Sequence, residues 1–452
     1  MKAILVGLFV CLFTAVAMAG DDPYDAALAL LALLPLQHSH SKSNVLPITL
    51  DEAEQIALQA NPKIRVAARK VVTTEAHISG AGALDDPSVM YRAWQVPLKQ
   101  PWNYNAAMNM FMIGQTFPGP GKRALRSEIA GDAVTIAKSD LEAKKREVSA
   151  EVRKAFYDLL RNNDELRVHD EQVAIARQAF AAARIKYSVG KVPQQDVLKA
   201  QVALTKLIEH LVMLEQDAEL SRATLNTLLG RIPDSALEVA GEYTTPAQLP
   251  TLADLQQLAV KSRPELVAAI AEIKQSQDEA SLARKQYTPD FSANVGYMLS
   301  PSGSQFRNNY MIEGSMTLPW LNRRKHDSEI SEAQATVQER QAEFDATRLA
   351  VFRQIQDALV RANSAKQLVD LYQESLRPQS EATLRSTVIA YENDRTDVLN
   401  LLDSQNTTLD VDYAYFRSLA EFEQRMAELE LAVGTPIPPS SPSAAATPEV
   451  MR

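Results

Sequence analysis

The sequence predicts a mainly α-helical fold with a small β part, and three observations support this class. Only 15 of the 452 residues are glycine, and long stretches rich in Ala, Leu, Glu, Lys and Arg contain neither Gly nor Pro. This composition is typical of long helices. Four short segments instead alternate apolar with polar residues, as half-buried strands do. The whole pattern occurs twice along the chain.

The duplication rests on four landmarks that recur in the same order. The copies are separated by 202 residues at two prolines, by 201 at a strand-to-helix segment and by 204 at a break between helices. Such regular spacing identifies a tandem repeat. The landmarks and their copies are Pro62 and Pro264, Pro87 and Pro289, Gln115–Arg123 and Met316–Arg324, and Tyr187 and Tyr391.

The repeat divides the chain into five expected regions. Each copy contains a helix interrupted at proline, two strands and a long helical hairpin. The C-terminal tail, GTPIPPSSPSAAATPEVMR, has low complexity and is expected to be disordered. The regions are a signal peptide at 1–19, a linker at 20–47, the first copy at 48–247, the second copy at 248–433, and the tail at 434–452.

The first 19 residues have the pattern of a secretory signal peptide. Lys2 precedes an apolar run that ends in Ala17-Met18-Ala19, a small-x-small cleavage triplet. An uncleaved anchor is the alternative, although the run is short for a spanning helix. Cleavage would remove Cys11, the only cysteine, and with it any disulfide, thiolate metal site or cysteine nucleophile.

Four segments are expected to form strands of about nine to eleven residues, the length that a tilted strand needs to cross a bilayer. Alternation is regular in the second copy, whereas methionines fill both faces in the first. A pair of half-buried hairpins in a soluble domain is the alternative. The segments are Ser88–Leu98, Met108–Phe117, Phe291–Leu299 and Tyr310–Leu318.

Each strand pair is followed by a very long helical pattern. Residues 122–187 contain no proline, and residues 323–391 contain only Pro378. At 1.5 Å per residue such helices are about 100 Å long, so they must pair along their length with the return segments 197–229 and 398–433. Four apolar residues are spaced for a coiled-coil seam: Leu159, Val173, Phe180 and Ile185.

Secretion and amphipathic strands together limit the possible architectures. In a bilayer every strand edge must be paired, so only a closed barrel can span it. Four strands are too few, because the smallest membrane barrels have about eight. Several chains must therefore share one barrel, and their helices would form a hollow cylinder around the same axis. Pro118 to Gly121 would form the joint, and Lys122-Arg123 would begin the helix.

The proline motifs Asn61-Pro62 and Asp86-Pro87 return in the second copy as Arg263-Pro264-Glu265 and Thr288-Pro289-Asp290. The first copy adds Pro120-Gly-Lys-Arg123, and Tyr187-x-x-Gly190 followed by Asp196-Val-Leu-x-Ala-Gln201. Their order resembles the TolC family of outer-membrane efflux proteins, over about residues 48–433. The resemblance implies a homotrimer with a twelve-stranded barrel, four strands per chain, on a periplasmic α-barrel. It also implies a periplasmic adaptor and an inner-membrane pump as partners. The joint and the length are most similar to the heavy-metal branch.

The helical tips correspond to the adaptor contact that the resemblance implies. In the first tip Gly190 fits the turn glycine, and Lys191 and Pro193 occupy the bend. In the second tip Asp394 replaces that glycine and Arg395 follows. Aspartate tolerates left-handed backbone better than most residues. A plain polar turn is the alternative interpretation of both tips.

Three carboxylates near the tips are candidates for a pore constriction. Asp196, Asp397 and Asp403 follow the bends, and three inward copies of one of them would attract cations. The resemblance expects acids near positions 400 and 403, but this chain has Asn400. Solvated charges on a helix face are the competing interpretation.

Other classes of function find little support. The net charge of −9 argues against nucleic acid as a partner. A phosphate loop would need Gly at 116 and Ser or Thr at 123, where the chain has Thr116 and Arg123. No zincin or hydrolase motif occurs, so we expect neither an enzyme nor a cofactor. His38 and His40 are more typical of a flexible spacer than of a metal site.

The sequence as a whole therefore predicts a passive outer-membrane exit duct of a three-part efflux machine, embedded in lipid and exporting small molecules or metal cations. A periplasmic coiled-coil scaffold or adaptor without a pore is the alternative from another class. The exit duct of type I protein secretion is the alternative within transport.

Overall fold

The computed structural model describes residues 46–245, 248–300, 309–393 and 395–437. The predicted signal peptide with Cys11, both linker histidines, the tip residue Asp394 and most of the predicted tail lie outside these ranges. The elements, in chain order, are α1 (Leu50–Ala60), α2 (Pro62–Ala81), β1 (Ser88–Trp94), β2 (Met108–Phe117), α3 (Lys122–Ser188), α4 (Gln194–Leu228), α5 (Leu252–Ser262), α6 (Pro264–Lys285), β3 (Phe291–Leu299), β4 (Asn309–Met316), α7 (Arg323–Leu371), α8 (Arg377–Glu392) and α9 (Val398–Val433).

The order of elements is the same in both copies, as the repeat predicts. Each begins with two short helices that meet at a proline, because proline fits the first turn of a helix but not its interior. Thr49 caps α1 through a capping box with Glu52, and Thr251 caps α5 through the Asp254 amide. Among the described residues, no helix combines the length and apolarity that a membrane-spanning helix requires.

The break between the two short helices also caps the far end of the return helix in each copy. In the first copy the Asn61 side chain donates to the Leu228 carbonyl at 2.8 Å, at the end of α4. In the second, Arg263 donates to the Leu431 carbonyl at 2.9 Å, near the end of α9. These bonds satisfy carbonyls that a helix leaves without an internal partner. Gly230 and Gly434, both left-handed, then lead the chain away.

We expect Gly230→Ala to destabilise the fold more than Gly190→Ala. Both glycines have positive φ, 71° and 75°, so each alanine costs about 1 kcal/mol of backbone strain. A Cβ at Gly230 would also lie 2.7 Å from the Ala60 carbonyl oxygen, whereas Gly190 faces open space. Such overpacking costs a further ~1–3 kcal/mol. Thermal unfolding followed by circular dichroism measures the difference, and equal loss in both variants would contradict it.

Helix α3, with 67 residues, is about 100 Å long and packs along α2, α4, α6 and α9. Three of its four predicted seam residues, Leu159, Val173 and Phe180, are buried. The prediction for Ile185 is wrong, because its side chain is 66 % exposed. Ala183, which is fully buried, takes the inward position there, one turn before the helix ends.

The second long helix is not broken at Pro378. Instead α7 passes into a π-helical segment, Tyr372–Leu376, which leads directly into α8. Proline has no N–H and its ring clashes with the carbonyl four residues earlier, and a wider turn relieves both problems. The helix therefore continues past Pro378 with one locally widened segment before it.

The four strands form one antiparallel sheet in the order β1-β2-β3-β4. Strands β2 and β3 have the predicted bounds, ten and nine residues. The prediction for β1 is wrong, since it ends at Trp94 after seven residues, where Gln95 adopts a left-handed conformation with φ of 55°. Strand β4 has eight residues and ends at Met316, ahead of a 3-10 turn that begins at Pro319.

Candidate functional site

The register of the sheet separates an apolar outer face from an inner face that carries the charged and hydroxyl side chains together with methionines. In β1 and β2, Tyr91 lies opposite Phe111, and Val89 opposite Ile113. These side chains belong to the outer face and are exposed, and Ile312 in β4 is 83 % exposed. Outward apolar and inward polar side chains are the pattern of a barrel wall in lipid. The outer face comprises Val89, Tyr91, Phe111, Ile113, Phe291, Val295, Tyr310, Ile312 and Met316.

The inner face carries charged and hydroxyl groups that contact one another across strands. Arg92 of β1 and Glu313 of β4 approach to 3.9 Å, and the hydroxyls of Thr116 and Ser292 lie 3.4 Å apart. The prediction that methionines fill both faces of the first-copy strands is wrong. The register puts Met90, Met108, Met110 and Met112 all on the inner face.

The joint between β2 and α3 is clamped by Asp290, the residue just before β3 (the lead of β3), which belongs to the other copy of the repeat. Gly121 turns the chain with φ of 85°, and Lys122, 2 % exposed, begins α3. Its Nζ lies 2.8 Å from Asp290 Oδ1, which also accepts the Gly119 amide at 2.7 Å. Burial opposes ionisation of Asp290, but the Lys122 and Gly119 hydrogen bonds outweigh it and lower the pKa of the carboxyl.

The corresponding joint in the second copy has no such clamp within the described part of the chain. A 3-10 turn, Pro319–Asn322, replaces the Gly-Pro-Gly turn, and Arg323 and Arg324 are exposed. The repeat offset aligns Ser88 with Asp290, and the exposed Asp86 lies two residues before it. The second joint is therefore basic through Arg323 and Arg324, and the segment just before β1 is acidic through Asp86.

The two helical tips of the chain are tied together by a lysine. Lys186, in the last turn of α3, donates from Nζ to the Tyr391 carbonyl at 2.7 Å, at the end of α8. The same ammonium lies 4.0 Å from the centre of the Tyr391 ring. Cations at helix C-termini are stabilised by exposed carbonyls and by the helix dipole. The predicted tip residues Gly190, Lys191, Pro193 and Arg395 are all exposed.

The predicted pore acids occupy three different settings. Asp397 caps α9 by accepting the Asn400 amide at 3.0 Å. Asp403 lines a groove of about 540 Å³ between α4 and α9, together with Lys199 and Lys206. Asp196 is half-buried in the first turn of α4. The groove thus brings Asp403 close to two lysines, and Asp196 and Asp397 are not part of its lining.

A buried histidine marks the crossing of three helices above the tips. His169 of α3 is fully buried. Since a carbonyl only accepts, its Nε2 donates to Leu207 O at 2.7 Å, and Nδ1 lies 2.6 Å from the Tyr413 hydroxyl of α9. Both ring nitrogens are used in holding helices together. Within the described ranges no group of three or more His, Cys, Asp or Glu residues is placed to hold a metal ion.

Sequence reasoning missed the two lysine contacts, at Lys122 and Lys186. Their partners are 168 and 205 residues away along the chain, so spacing alone gave no signal. The one available signal was position, because both lysines occupy helix ends next to a turn. Each contact joins one copy of the repeat to the other.

Comparison with known proteins agrees with this geometry. A cobalt-zinc-cadmium resistance protein, CzcC, of Cupriavidus metallidurans is 22 % identical over 389 residues, which are 86 % of this chain and 90 % of the relative. The pyoverdine export outer membrane protein OpmQ of Pseudomonas aeruginosa is 22 % identical over 405 residues, 85 % of this chain and 83 % of the relative.

Solved structures show the same fold. The outer membrane protein VceC of Vibrio cholerae superposes with a TM-score of 0.71 at 17 % identity, covering 85 % of this chain and 96 % of that protein. The sequence profile described as "Outer membrane efflux protein" matches residues 54–231 and 255–435, one match for each copy of the repeat. The chain therefore belongs to the outer membrane efflux protein family.

Proposed function

We propose that this outer-membrane efflux channel works as a homotrimer, a passive conduit through which a periplasmic adaptor and an inner-membrane pump expel their substrates. One observation carries the proposal. The sheet has an exposed apolar outer face, an opposite face that carries its charged and hydroxyl side chains, and two edges, on β1 and β4, without a partner strand among the described residues. In lipid such edges must be paired. A coiled-coil scaffold without a pore would leave that apolar face unexplained.

The internal repeat supplies the register with which the edges of two copies would pair. Strands β2 and β3 join the first copy of the repeat to the second, with Gln115 opposite Ala293. The repeat offset of 201 residues relates Gln115 to Met316 in β4, and the offset of 202 relates Ala293 to Tyr91 in β1. By this symmetry, Met316 of one chain would lie opposite Tyr91 of the next chain. Both belong to the outer face, so the register keeps apolar residues together. It also brings the basic second joint near Asp86 of the next chain.

We expect Arg92→Cys and Ser315→Cys in one chain to form disulfides between subunits. The derived register places these inner-face residues directly opposite each other, within disulfide reach. The only native cysteine is Cys11, in the predicted signal peptide. Oxidised outer membranes should yield covalently linked trimers on denaturing gels.

The matched control pairs Ser315→Cys with Trp94→Cys, two residues further along the same face. Those positions are too far apart to bridge without movement of the backbone. Efficient linkage in the control alone would reject the register but keep the trimer. A detergent-solubilised monomer with no linkage in either pair would reject the trimer.

The tips would meet the adaptor, and Asp403 with its copies would face the entrance. We propose metal cations as one substrate class, because the relative CzcC is named for cobalt, zinc and cadmium resistance and because acids lie close to the tips. Deleting the gene should then lower tolerance to at least one of these metals. Unchanged tolerance to all three, with lowered tolerance to organic compounds, would remove metals from the proposal and leave the conduit.

A further inference from the structure

Six of the nine described methionines lie on the inner face of the sheet. They are Met90, Met108, Met110, Met112, Met298 and Met311. The remaining three lie elsewhere: Met316 on the outer face, Met213 on α4 and Met426 on α9. Strands favour β-branched and aromatic side chains, and the inner wall of a membrane barrel is usually polar. Six thioethers on this one face are therefore unexpected for a strand or for a water-filled wall.

The register brings these methionines together. Met90 lies opposite Met112, and Met110 lies opposite Met298. Directly opposed residues have Cβ atoms about 4.5–5.5 Å apart, which is within reach of two flexible thioether chains. Met112 lies at the centre of this group and is 2 % exposed.

A glycine lies between two of these methionines in the row of inner-face residues that crosses the sheet through Met112. Gly296 separates Met112 from Met311 across the sheet. A Cβ at Gly296 would lie 2.6 Å from Met112 Cγ, so the Met112 side chain occupies the space above this glycine. The central row is thus Met90, Met112, Gly296 and Met311, with three sulfur atoms on one side of the sheet.

The rim of this group is open and contains one hydrogen bond to sulfur. Met90 is 40 % exposed, and Met311 is half-buried. The Arg92 guanidinium donates to Met90 Sδ at 3.7 Å, which uses one of the two lone pairs of this sulfur. Glu313, near Arg92, adds a negative charge at the same edge.

We propose that the row of Met90, Met112 and Met311 is a binding site for a soft monovalent cation, Cu(I) or Ag(I). Thioether sulfur is a soft, neutral ligand that selects Cu(I) among the biological metals. It does not neutralise charge, so it holds a singly charged ion more readily than a strongly hydrated divalent one. If the proposed conduit is correct, the site lies in the wall of the exit path, and the efflux substrates include soft monovalent metals.

Silver nitrate titrated into the purified, detergent-solubilised protein in chloride-free buffer tests the site. We expect the wild type to bind one high-affinity Ag(I) per chain, counted by elemental mass spectrometry after desalting. The triple variant Met90→Leu, Met112→Leu, Met311→Leu should bind at least tenfold more weakly. The control triple Met213→Leu, Met316→Leu, Met426→Leu removes as many methionines and every variant keeps all histidines. Equal loss in both triples, or no loss in the first, would overturn the site.

A second measurement uses the wild type alone and does not depend on how the variants fold. Peroxide oxidises accessible methionine to sulfoxide, and a bound ion occupies the sulfur lone pair. Ag(I) should slow oxidation of Met90 and Met311 at least fivefold, read by peptide mass spectrometry, and leave the exposed Met213 and Met316 unchanged. Oxidation of Met90 and Met311 at the same rate with and without Ag(I) would reject the proposal. Both measurements detect Ag(I) binding by the purified protein and do not depend on export. Evidence against the proposed conduit would therefore not count as evidence against the site.

Discussion

Replacing Lys122 with methionine is expected to lower the free energy of unfolding by about 2 kcal/mol, in the range for a lost charged hydrogen bond, because the Asp290 side chain keeps 32 % exposure to solvent. Lys122 is almost completely buried, and its ammonium lies 2.8 Å from Asp290. Methionine fills a similar volume, so the loss reflects charge rather than packing. Because the pair joins β2 and α3 to the lead of β3, we also expect less assembled trimer. Thermal unfolding by circular dichroism and heat-dependent gel mobility measure the two effects.

The matched control is Lys285→Met, which makes the same change at an exposed lysine beside the same turn. It should change stability by less than about 0.5 kcal/mol. Adding Asp290→Asn to Lys122→Met should recover at least half of the loss, because Asn still accepts the Gly119 amide and leaves no unpaired, partly buried charge. A double variant no more stable than Lys122→Met would contradict the clamp.

The clamp also predicts a pH dependence. The folded pKa of Asp290 lies below its ordinary value of 3.8. The stabilisation is therefore complete above the ordinary value and is lost as the pH falls through the lowered one. The gap in stability between wild type and Lys122→Met should close over that acidic range. A gap that persists unchanged in strong acid would rule out ionised Asp290 as the cause.

Lys186→Ala should raise the equilibrium constant for opening of the tips by about tenfold. The variant loses a charged hydrogen bond of roughly 1.5–3 kcal/mol and a cation–π contact of roughly 0.5–1 kcal/mol. Part of this is regained when the Tyr391 carbonyl binds water. Because the bond connects the end of α3 to the end of α8, its loss lets the two hairpin ends separate. Conductance of single channels in planar bilayers measures the shift.

Arg184→Ala is the matched control, since it removes a cation two residues earlier on the same helix that makes no hydrogen bond or ion pair in the described part of the chain. Tyr391→Leu keeps the backbone carbonyl and removes only the ring, so it should produce a smaller increase than Lys186→Ala. Similar conductance for wild type and Lys186→Ala would show that the lysine does not hold the tips.

Much of the fold follows from local patterns in the sequence. Helix α9 has the predicted bounds, Val398–Val433, because its ends coincide with a capping aspartate and a left-handed glycine. The end of β1 could not be predicted, since Gln95 has no intrinsic preference for the left-handed conformation it adopts. The exposure of Ile185 also could not be read from spacing, because a seam ends where its partner helices end.

The candidate site was less predictable than the fold. The tip residues follow from turn chemistry, but the contact between Lys186 and Tyr391 depends on how two hairpins meet in space. The inner-face methionines were visible in the sequence, yet their common face became clear only with the register of β1 against β2. Charge pairs between the copies of the repeat similarly require the tertiary arrangement.

The π-helical segment Tyr372–Leu376 bears on how the two halves diverged in length after duplication. The distance between equivalent positions grows from 201 residues at the joints to 204 at the tips, so the second long arm is longer than the first. An insertion in a regular helix rotates everything beyond it by about 100°, but a wider turn absorbs one extra residue locally. Val369 before the segment and Tyr391 beyond it are both buried. One extra residue can thus be accommodated without turning the packed stripe toward solvent.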